Sequence, residues 1–212
     1  MAARGRFITF EGGEGAGKST QIGRLCERLE SLGIEVVQVR EPGGTALGEE
    51  MRRILADTKG DSPTDRAEAL LFLAARAQLV EKMLLPALER GAWVVSDRFS
   101  DSTIAYQGYG RGLDVEALER MNAFACAGLR PDVTLFLDLP RDVAVSRMRA
   151  REIAAGGGPD RIESAGDEFH ARVAEGFRRM AAAEPGRFAT IDASGGEEAV
   201  WEAIWKRLKP LT

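Results

Sequence analysis

Eight residues near the start of the chain, Gly12-Gly13-Glu14-Gly15-Ala16-Gly17-Lys18-Ser19, constrain the fold more than any other stretch. They match G-x-x-x-x-G-K-[ST], a turn whose backbone N–H groups close around phosphate. Glycine reaches the positive φ angles such a turn needs without the clash that a Cβ brings. Lys18 supplies a mobile cation for the outer phosphates, and the Ser19 hydroxyl is a hard oxygen suited to Mg²⁺. The flanks fall in the required order. Arg6 to Glu11 reads as a strand, and Ile22, Leu25, Leu29 and Leu32 recur at helical spacing. A helix starting at about Gly17 therefore turns its positive end into the same concavity. The loop pattern alone arises by chance in on the order of one or two per cent of chains; strand, loop and helix in series decide for nucleotide phosphate binding by Gly12 to Thr20.

Downstream, strands alternate with helices. Ile34–Val39, Ala92–Ser96, Val133–Asp138 and Phe188–Asp192 read as strands. A short helix capped by Thr45 follows the second strand. A long apolar helix spans Asp65 to Arg90, bent near Pro86, and is either central to the core or part of a subunit interface. Helices are also predicted over Asp114–Ala127, Arg141–Arg151, Glu168–Glu184 and Glu197–Leu208, while Asp97-Arg98-Phe99 opens a polar, glycine-bearing stretch through Arg111. This alternation predicts an α/β fold with a parallel sheet covered by helices on both faces. At 212 residues the chain suffices for one compact domain.

Composition closes other routes. A net charge of −4 leaves no strongly basic surface for nucleic acid, and two isolated cysteines make no disulfide framework. No apolar run reaches the ~18 residues of a membrane span, and Met1 to Arg6 is too short for a signal peptide. A cytoplasmic protein with reduced thiols is expected.

The arginines carry the chemistry. Arg40, Arg52, Arg76 and Arg98 fall on segments converging on the carboxyl ends of the second and third strands, where ligands gather in open α/β sheets. Planar guanidinium groups suit a second anion, such as an acceptor phosphate. A phosphate monoester, with its second pKa near ~6, is largely dianionic at neutral pH and needs no strong general base. Catalysis is then alignment and neutralisation of two polyanions. Any one arginine alone reads as a solvated surface charge; their common place at strand ends favours a kinase. The guanine-reading Asn-Lys-x-Asp is absent, and Asp192-Ala193-Ser194-Gly195 matches the loose D-x-x-G switch pattern only at the end of the last strand. Both observations argue against a regulatory GTPase.

Five segments together resemble bacterial thymidylate kinases: Phe10 to Gln21, Arg40-Glu41-Pro42-Gly43-Gly44-Thr45, Asp97-Arg98-Phe99, Ala105-Tyr106-Gln107-Gly108 and Asp160-Arg161-Ile162-Glu163. The resemblance runs from about Arg6 to the last helix. It implies the P-loop NTPase fold of nucleoside monophosphate kinases, a five-stranded parallel sheet with helices on both faces and a small mobile lid. Residues 1–212 would form a single kinase domain, with the lid at about 149–161. The implied activity is phosphorylation of dTMP to dTDP by ATP with Mg²⁺, on the route to dTTP, in a homodimer that binds neither nucleic acid nor membrane. Another nucleoside monophosphate kinase is the alternative within the class; a nucleotide-dependent switch or binding module is the alternative outside it.

Carried over residue by residue, the resemblance assigns roles. Phe72 would stack on the base, and Arg76, one turn on, would hydrogen-bond it. Thr103 and Gln107 would line the base pocket, or Ser102 if the register differs. Arg98 would clamp the acceptor phosphate with Arg52 and Arg40, beside Pro42; Glu41-Pro42 is a candidate cis peptide. Asp97 would hold the Mg²⁺–water network, with Ser19, or pair with Arg98. Glu14 would bond the 3′-hydroxyl, and Tyr109 would exclude a 2′-hydroxyl. Where the eukaryotic type has an arginine in the loop, this chain has Gly15. The basic run Arg147-Met148-Arg149-Ala150-Arg151, the glycine-rich flap Ile153–Pro159 and Arg161 are then expected to neutralise the transferring phosphoryl group: Arg151 first, then Arg149 and Arg161. The lone His170 reads as a surface residue.

Overall fold

The structure, a computed structural model, describes residues 4–57, 60–155, 161–162 and 164–212, with the backbone alone for 151–155. The five strands β1 (Phe7–Glu11), β2 (Val36–Arg40), β3 (Trp93–Asp97), β4 (Val133–Asp138) and β5 (Phe188–Asp192) form one sheet in the order β2-β3-β1-β4-β5. Each neighbouring pair is parallel. Asp97 stands opposite both Phe10 and Arg40, which brings the carboxyl ends of β1, β2 and β3 level. Parallel strands buried on both faces need near-continuous apolar sequence, and Phe7-Ile8-Thr9-Phe10 supplies it.

Alternation along β1 builds two cores. Ile8 and Phe10, with Val95, Leu135 and Leu137, pack on α1 (Lys18–Ser31) and α9 (Glu197–Leu208) through Ile22, Leu25, Leu29, Val200 and Ile204. On the other face Phe7, Val94 and Phe99 meet Leu79, Val80, Leu84 and Leu88. These last residues belong to the long helical segment predicted over 65–90. It is helical throughout but changes register: α3 (Asp65–Leu79) runs into a π-helical turn at Val80–Leu84 and then α4 (Leu85–Glu89). The wide turn lies just before Pro86, whose ring and missing N–H cannot enter a regular α ladder. The helix α2 (Ala46–Ala56) is capped as expected, Thr45 Oγ1 accepting from the Gly48 N–H at 3.0 Å.

The polar, glycine-bearing stretch after Phe99 is helix, α5 (Ser100–Thr103) followed by a π-helical segment at Ile104–Gly110, and most of it is buried. Its glycines serve close approach rather than turns. A Cβ on Gly110 would lie 2.6 Å from the Phe169 ring, on α8 (Asp167–Ala183). The helix α6 (Val115–Ala125) packs on α3 and on the Ile104–Gly110 segment, and α7 (Arg141–Ala155) continues four residues past Arg151.

A polar network crosses the sheet where an apolar core would be expected. Thr9 and Thr134 hydroxyls meet at 2.9 Å, and Thr134 Oγ1 donates to Asp101 Oδ2 at 3.1 Å. Arg187 closes the network on Asp101 through two bonds of 2.6 and 2.9 Å. Removing one member strands a buried charge. Asp101→Ala is therefore expected to lower the unfolding free energy by about 3 kcal/mol in a urea titration; a loss below about 1 kcal/mol contradicts a load on this pair.

Candidate active site

A cavity of about 580 Å³ opens at the carboxyl ends of β1, β2 and β3, and loop residues Glu14 to Thr20 line one side of it. The loop geometry rests on glycine where the backbone crowds its neighbours. Gly12 has φ 136°, and a Cβ there would lie 2.5 Å from the Leu137 carbonyl oxygen. Gly15 has φ 76°, and a Cβ there would meet the Ala144 carbonyl oxygen at 2.9 Å. A side chain at position 15 is thus blocked by α7, which explains physically why this loop carries no arginine there. Gly17, at φ 86°, leads into α1. Lys18 curls back over the loop, donating to the carbonyls of Gly12 (3.2 Å) and Gly13 (3.0 Å). Burial lowers its pKa and the charge of Arg98 adds to that effect, against the pull of Glu14, Asp97 and Glu11. An anion in the cavity relieves that strain on the ammonium.

Arg98 ties the loop to the end of β3. Its φ is 71°, left-handed for a residue with a Cβ. The guanidinium donates to Gly12 O (3.1 Å), Ser102 Oγ (3.3 Å) and Glu14 Oε1 (2.7 Å), and lies 4.9 Å from the Tyr106 ring centroid. Ser102 in turn donates to Glu11 Oε2 at 2.6 Å, and the Phe99 N–H donates to Glu11 Oε1 at 2.8 Å. Burial, reinforced by Asp101 and opposed by Arg98, pushes Glu11 up to about 8.

The acceptor-side residues split into two groups. Arg40, Pro42, Arg52, Phe72, Ser102, Thr103 and Gln107 all line the cavity. Arg40 pairs with Glu49 at 2.9 Å, Arg52 donates to Pro42 O at 3.2 Å, and Glu41-Pro42 is cis. Arg76 behaves differently and corrects the expectation that it faces the base. It is 1% exposed. Its five N–H groups go to Glu41 Oε2 twice (2.8 and 2.6 Å), Thr103 Oγ1 (2.8 Å), Asn122 Oδ1 (2.7 Å) and Phe99 O (3.1 Å). With every donor used, Arg76 acts on the pocket through Thr103, whose hydroxyl accepts from it and keeps its own hydrogen for a partner in the cavity. The signal for this lay in Glu41, 35 residues away in sequence, which no local pattern links to Arg76.

The residues that would hold a metal pass a test of fit. Asp97 Oδ1 is buried with no hydrogen-bond partner among the described residues, and both Asp97 and Ser19 line the cavity. An orphaned carboxylate oxygen beside the loop suits a hydrated divalent cation. No cluster of three or more His, Cys, Asp or Glu side chains lies among the described residues, so a cation here would take most ligands from phosphate and water. The pairing of Asp97 with Arg98 is not made, since Arg98 goes to Glu14.

The basic run is re-sorted by the helix. Arg147 lines the cavity, donating to the carbonyls of Ala193 (2.9 Å) and Gly195 (3.2 Å). The basic run named in the sequence includes it, but the ranking placed Arg151, Arg149 and Arg161 ahead of it; Ala144 and Met148, beside it on α7, are both buried. Arg149 is exposed and does not line the cavity. Arg161 is turned to the acceptor side: it pairs with Glu68 at 2.6 Å and donates to Leu55 O at 3.2 Å, which corrects its expected place on the donor phosphates. The side chain of Arg151, and residues 156–160 of the expected flap, lie outside the described residues. Tyr109 is corrected as well. It packs on Gly176 of α8, away from the cavity, and Tyr106 lines the cavity instead. His170, expected at the surface, lines the cavity too.

Comparison with known proteins gives the family and the fold. The thymidylate kinase family model matches residues 10–204. Thymidylate kinase of Solidesulfovibrio magneticus is 51% identical over 201 residues, covering 94% of this chain and 96% of that one. Thymidylate kinase of a Geobacter species is 46% identical over 212 residues, covering 98% and 94%. The crystal structure of thymidylate kinase from Ehrlichia chaffeensis superposes with a TM-score of 0.77 at 34% identity, covering 97% of this chain and 99% of that one. No described helix is long and apolar enough to cross a membrane.

Burial of Glu11 has a measurable consequence. A carboxyl raised to about 8 binds its proton more tightly in the folded than in the unfolded state. Its contribution to stability is therefore fully present below the unfolded pKa of about 4.3 and is lost as pH rises through about 8. Urea unfolding across that range is expected to show a fall in the wild type that Glu11→Gln flattens; parallel curves for the two proteins contradict the assignment.

Proposed function

The chain belongs to the thymidylate kinase family, and we propose that it transfers the γ-phosphoryl group of ATP to dTMP, releasing dTDP and ADP. The observation that carries this reading is a cavity lined at once by the phosphate loop, by Arg40, Arg52, Asp97 and Arg98, and by Phe72, Thr103 and Gln107. A nucleophilic 5′-phosphate oxygen of dTMP attacks the γ-phosphorus in line; the bond to the β–γ bridging oxygen breaks, and ADP leaves with that electron pair. The acceptor dianion needs no strong base, so the protein's part is alignment and charge neutralisation.

Each residue then has a task. The loop amides from Gly13 to Thr20 and the Lys18 ammonium hold the donor phosphates. Arg98, with Arg52 and Arg40, takes the acceptor phosphate. Because Arg98 is paired with Glu14, phosphate binding frees that carboxylate for the 3′-hydroxyl of the acceptor sugar. Phe72 stacks on thymine, and Thr103, Gln107 and Ser102 meet its polar edge. Ser19 and Asp97 would hold Mg²⁺, which when bound supplies charge neutralisation between the donor phosphates. Position 15 offers no cation, and the α7 arginines supply it, Arg147 beside the loop and Arg151 one turn on. The whole chain works as one kinase domain with 149–161 as its lid. Leu70 on α3 is 57% exposed and Phe124 on α6 is 88% exposed. We assign these exposed apolar side chains to the contact of a homodimer, which a monomer in light scattering would contradict.

Turnover is read by coupled ADP release with dTMP, dUMP, AMP, CMP, UMP and thymidine as acceptors. The expected result is fastest turnover of dTMP, and for Lys18→Ala a loss of about a hundredfold or more in kcat/KM with the fold retained. Faster turnover of AMP or CMP rejects the substrate and leaves the kinase class. Nucleotide-dependent partner binding without transfer to any acceptor rejects both.

A further inference from the structure

Glu68 lies on α3 one turn before Phe72, and it is 0% exposed. No local pattern marks it as functional, since a carboxylate on an apolar helix usually faces water. Here it is the meeting point of three donor side chains. Gln107 Nε2 donates to Oε1 at 2.8 Å, while Arg111 Nη2 (3.1 Å) and Arg161 Nη2 (2.6 Å) donate to Oε2. Arg161 also caps the orphan carbonyl of Leu55 in the last turn of α2, and Arg111 lies 4.6 Å from the Phe169 ring centroid. Two guanidinium groups and an amide converge on one carboxylate, whose pKa they lower against the opposing effect of burial.

Two of the three attachments lead to the acceptor side of the cavity. Phe72, Gln107 and Ile162, the residue after Arg161, all line the main cavity. An ionised carboxylate only accepts hydrogen bonds, so it fixes the Gln107 amide with Nε2 toward Glu68 and leaves Oε1 as the end for the cavity. An acceptor at that wall suits the N3–H of thymine or uracil and opposes cytosine, whose N3 is itself an acceptor. We propose that Glu68 is a positioning residue for the acceptor pocket: it sets the polarity of Gln107 toward the base and, through Arg161, seats Ile162 on the same wall. The inference rests on the reading of this cavity as the dTMP site.

Steady-state kinetics with dTMP and dCMP, each at saturating ATP, test it on the wild type, Glu68→Gln and Arg161→Gln. Glu68→Gln can present its amide N–H to Gln107, which lets that side chain turn over. The expected result is a rise of about tenfold in the KM for dTMP, the scale of one charge-assisted hydrogen bond, with the KM for ATP within about twofold. The ratio of kcat/KM for dTMP over dCMP is expected to fall with it. Arg161→Gln, which leaves Arg111 on Glu68, is expected to raise the KM for dTMP by a smaller factor without changing that ratio. A merely structural carboxylate would lower the melting temperature and leave the ratio unmoved, and that outcome overturns the proposal. If Glu68→Gln does not fold, an unchanged KM for dTMP in Arg161→Gln overturns it instead. A wild type that turns over no dTMP sinks the functional reading together with this inference; an active wild type with unchanged variants sinks the inference alone.

Discussion

One guanidinium joins the two halves of the cavity. Arg98 follows the last residue of β3, on a left-handed backbone that costs a residue with a Cβ about 1–3 kcal/mol. That geometry is held from both sides: its N–H donates to Phe10 O at 3.0 Å, and its carbonyl accepts from Ser96 Oγ at 2.6 Å. The side chain then reaches the Gly12 carbonyl, Glu14 and Ser102 at once. Without it, Glu14 would lose its guanidinium partner, and Ser102, which donates to Glu11, would lose its own donor. The parallel register that sets Asp97 opposite Phe10 puts this arginine within reach of the loop. Fold and site are therefore one arrangement, in which the strand order delivers the cation.

Around that hub the charges are arranged in advance for anions. Lys18 rests on loop carbonyls, Arg98 on a carboxylate and Arg52 on the Pro42 carbonyl. For Lys18 and Arg52 a phosphate can displace the partner, because a dianion in a partly desolvated cavity outweighs a neutral carbonyl, while for Arg98 a dianion competes with the single charge of Glu14. Arg76 is the contrast. Fully satisfied and buried on Glu41, it is part of the frame, since releasing it would leave an uncompensated buried charge. The distinction between arginines that can move and arginines that cannot follows from burial and partner chemistry together.

The elements of the fold were legible in the sequence because their signals are local. All five strands were found to within about two residues, and Thr45 was identified as a helix cap from position alone. The loop was legible for the same reason, with its glycines in order. What was not legible depends on pairs distant in sequence. Glu41 and Arg76 are 35 residues apart, Asp101 and Arg187 are 86 apart, and Glu68 and Arg161 are 93 apart. Each reads in isolation as a solvated charge. The buried helix over Ser100–Gly110 was hidden differently, because glycines that serve close packing look like turn glycines until the neighbouring helix is in place. Within the basic run, the preference for Arg147 over Arg149 was within reach of periodicity, since Ala144 and Met148 mark the buried face of α7.

The account stands on donor and acceptor sharing one cavity, with their phosphates meeting between Lys18 and Arg98. Adenosine and thymidine joined through their 5′ oxygens by a chain of five phosphates would occupy both sides at once. Isothermal titration is predicted to give a Kd at least about a hundredfold below that of ATP or dTMP alone, because the second contact becomes intramolecular, and Arg98→Ala is predicted to abolish that gain. Affinity no better than that of ATP by itself would contradict the account, for it would mean that the two anion sites do not face each other.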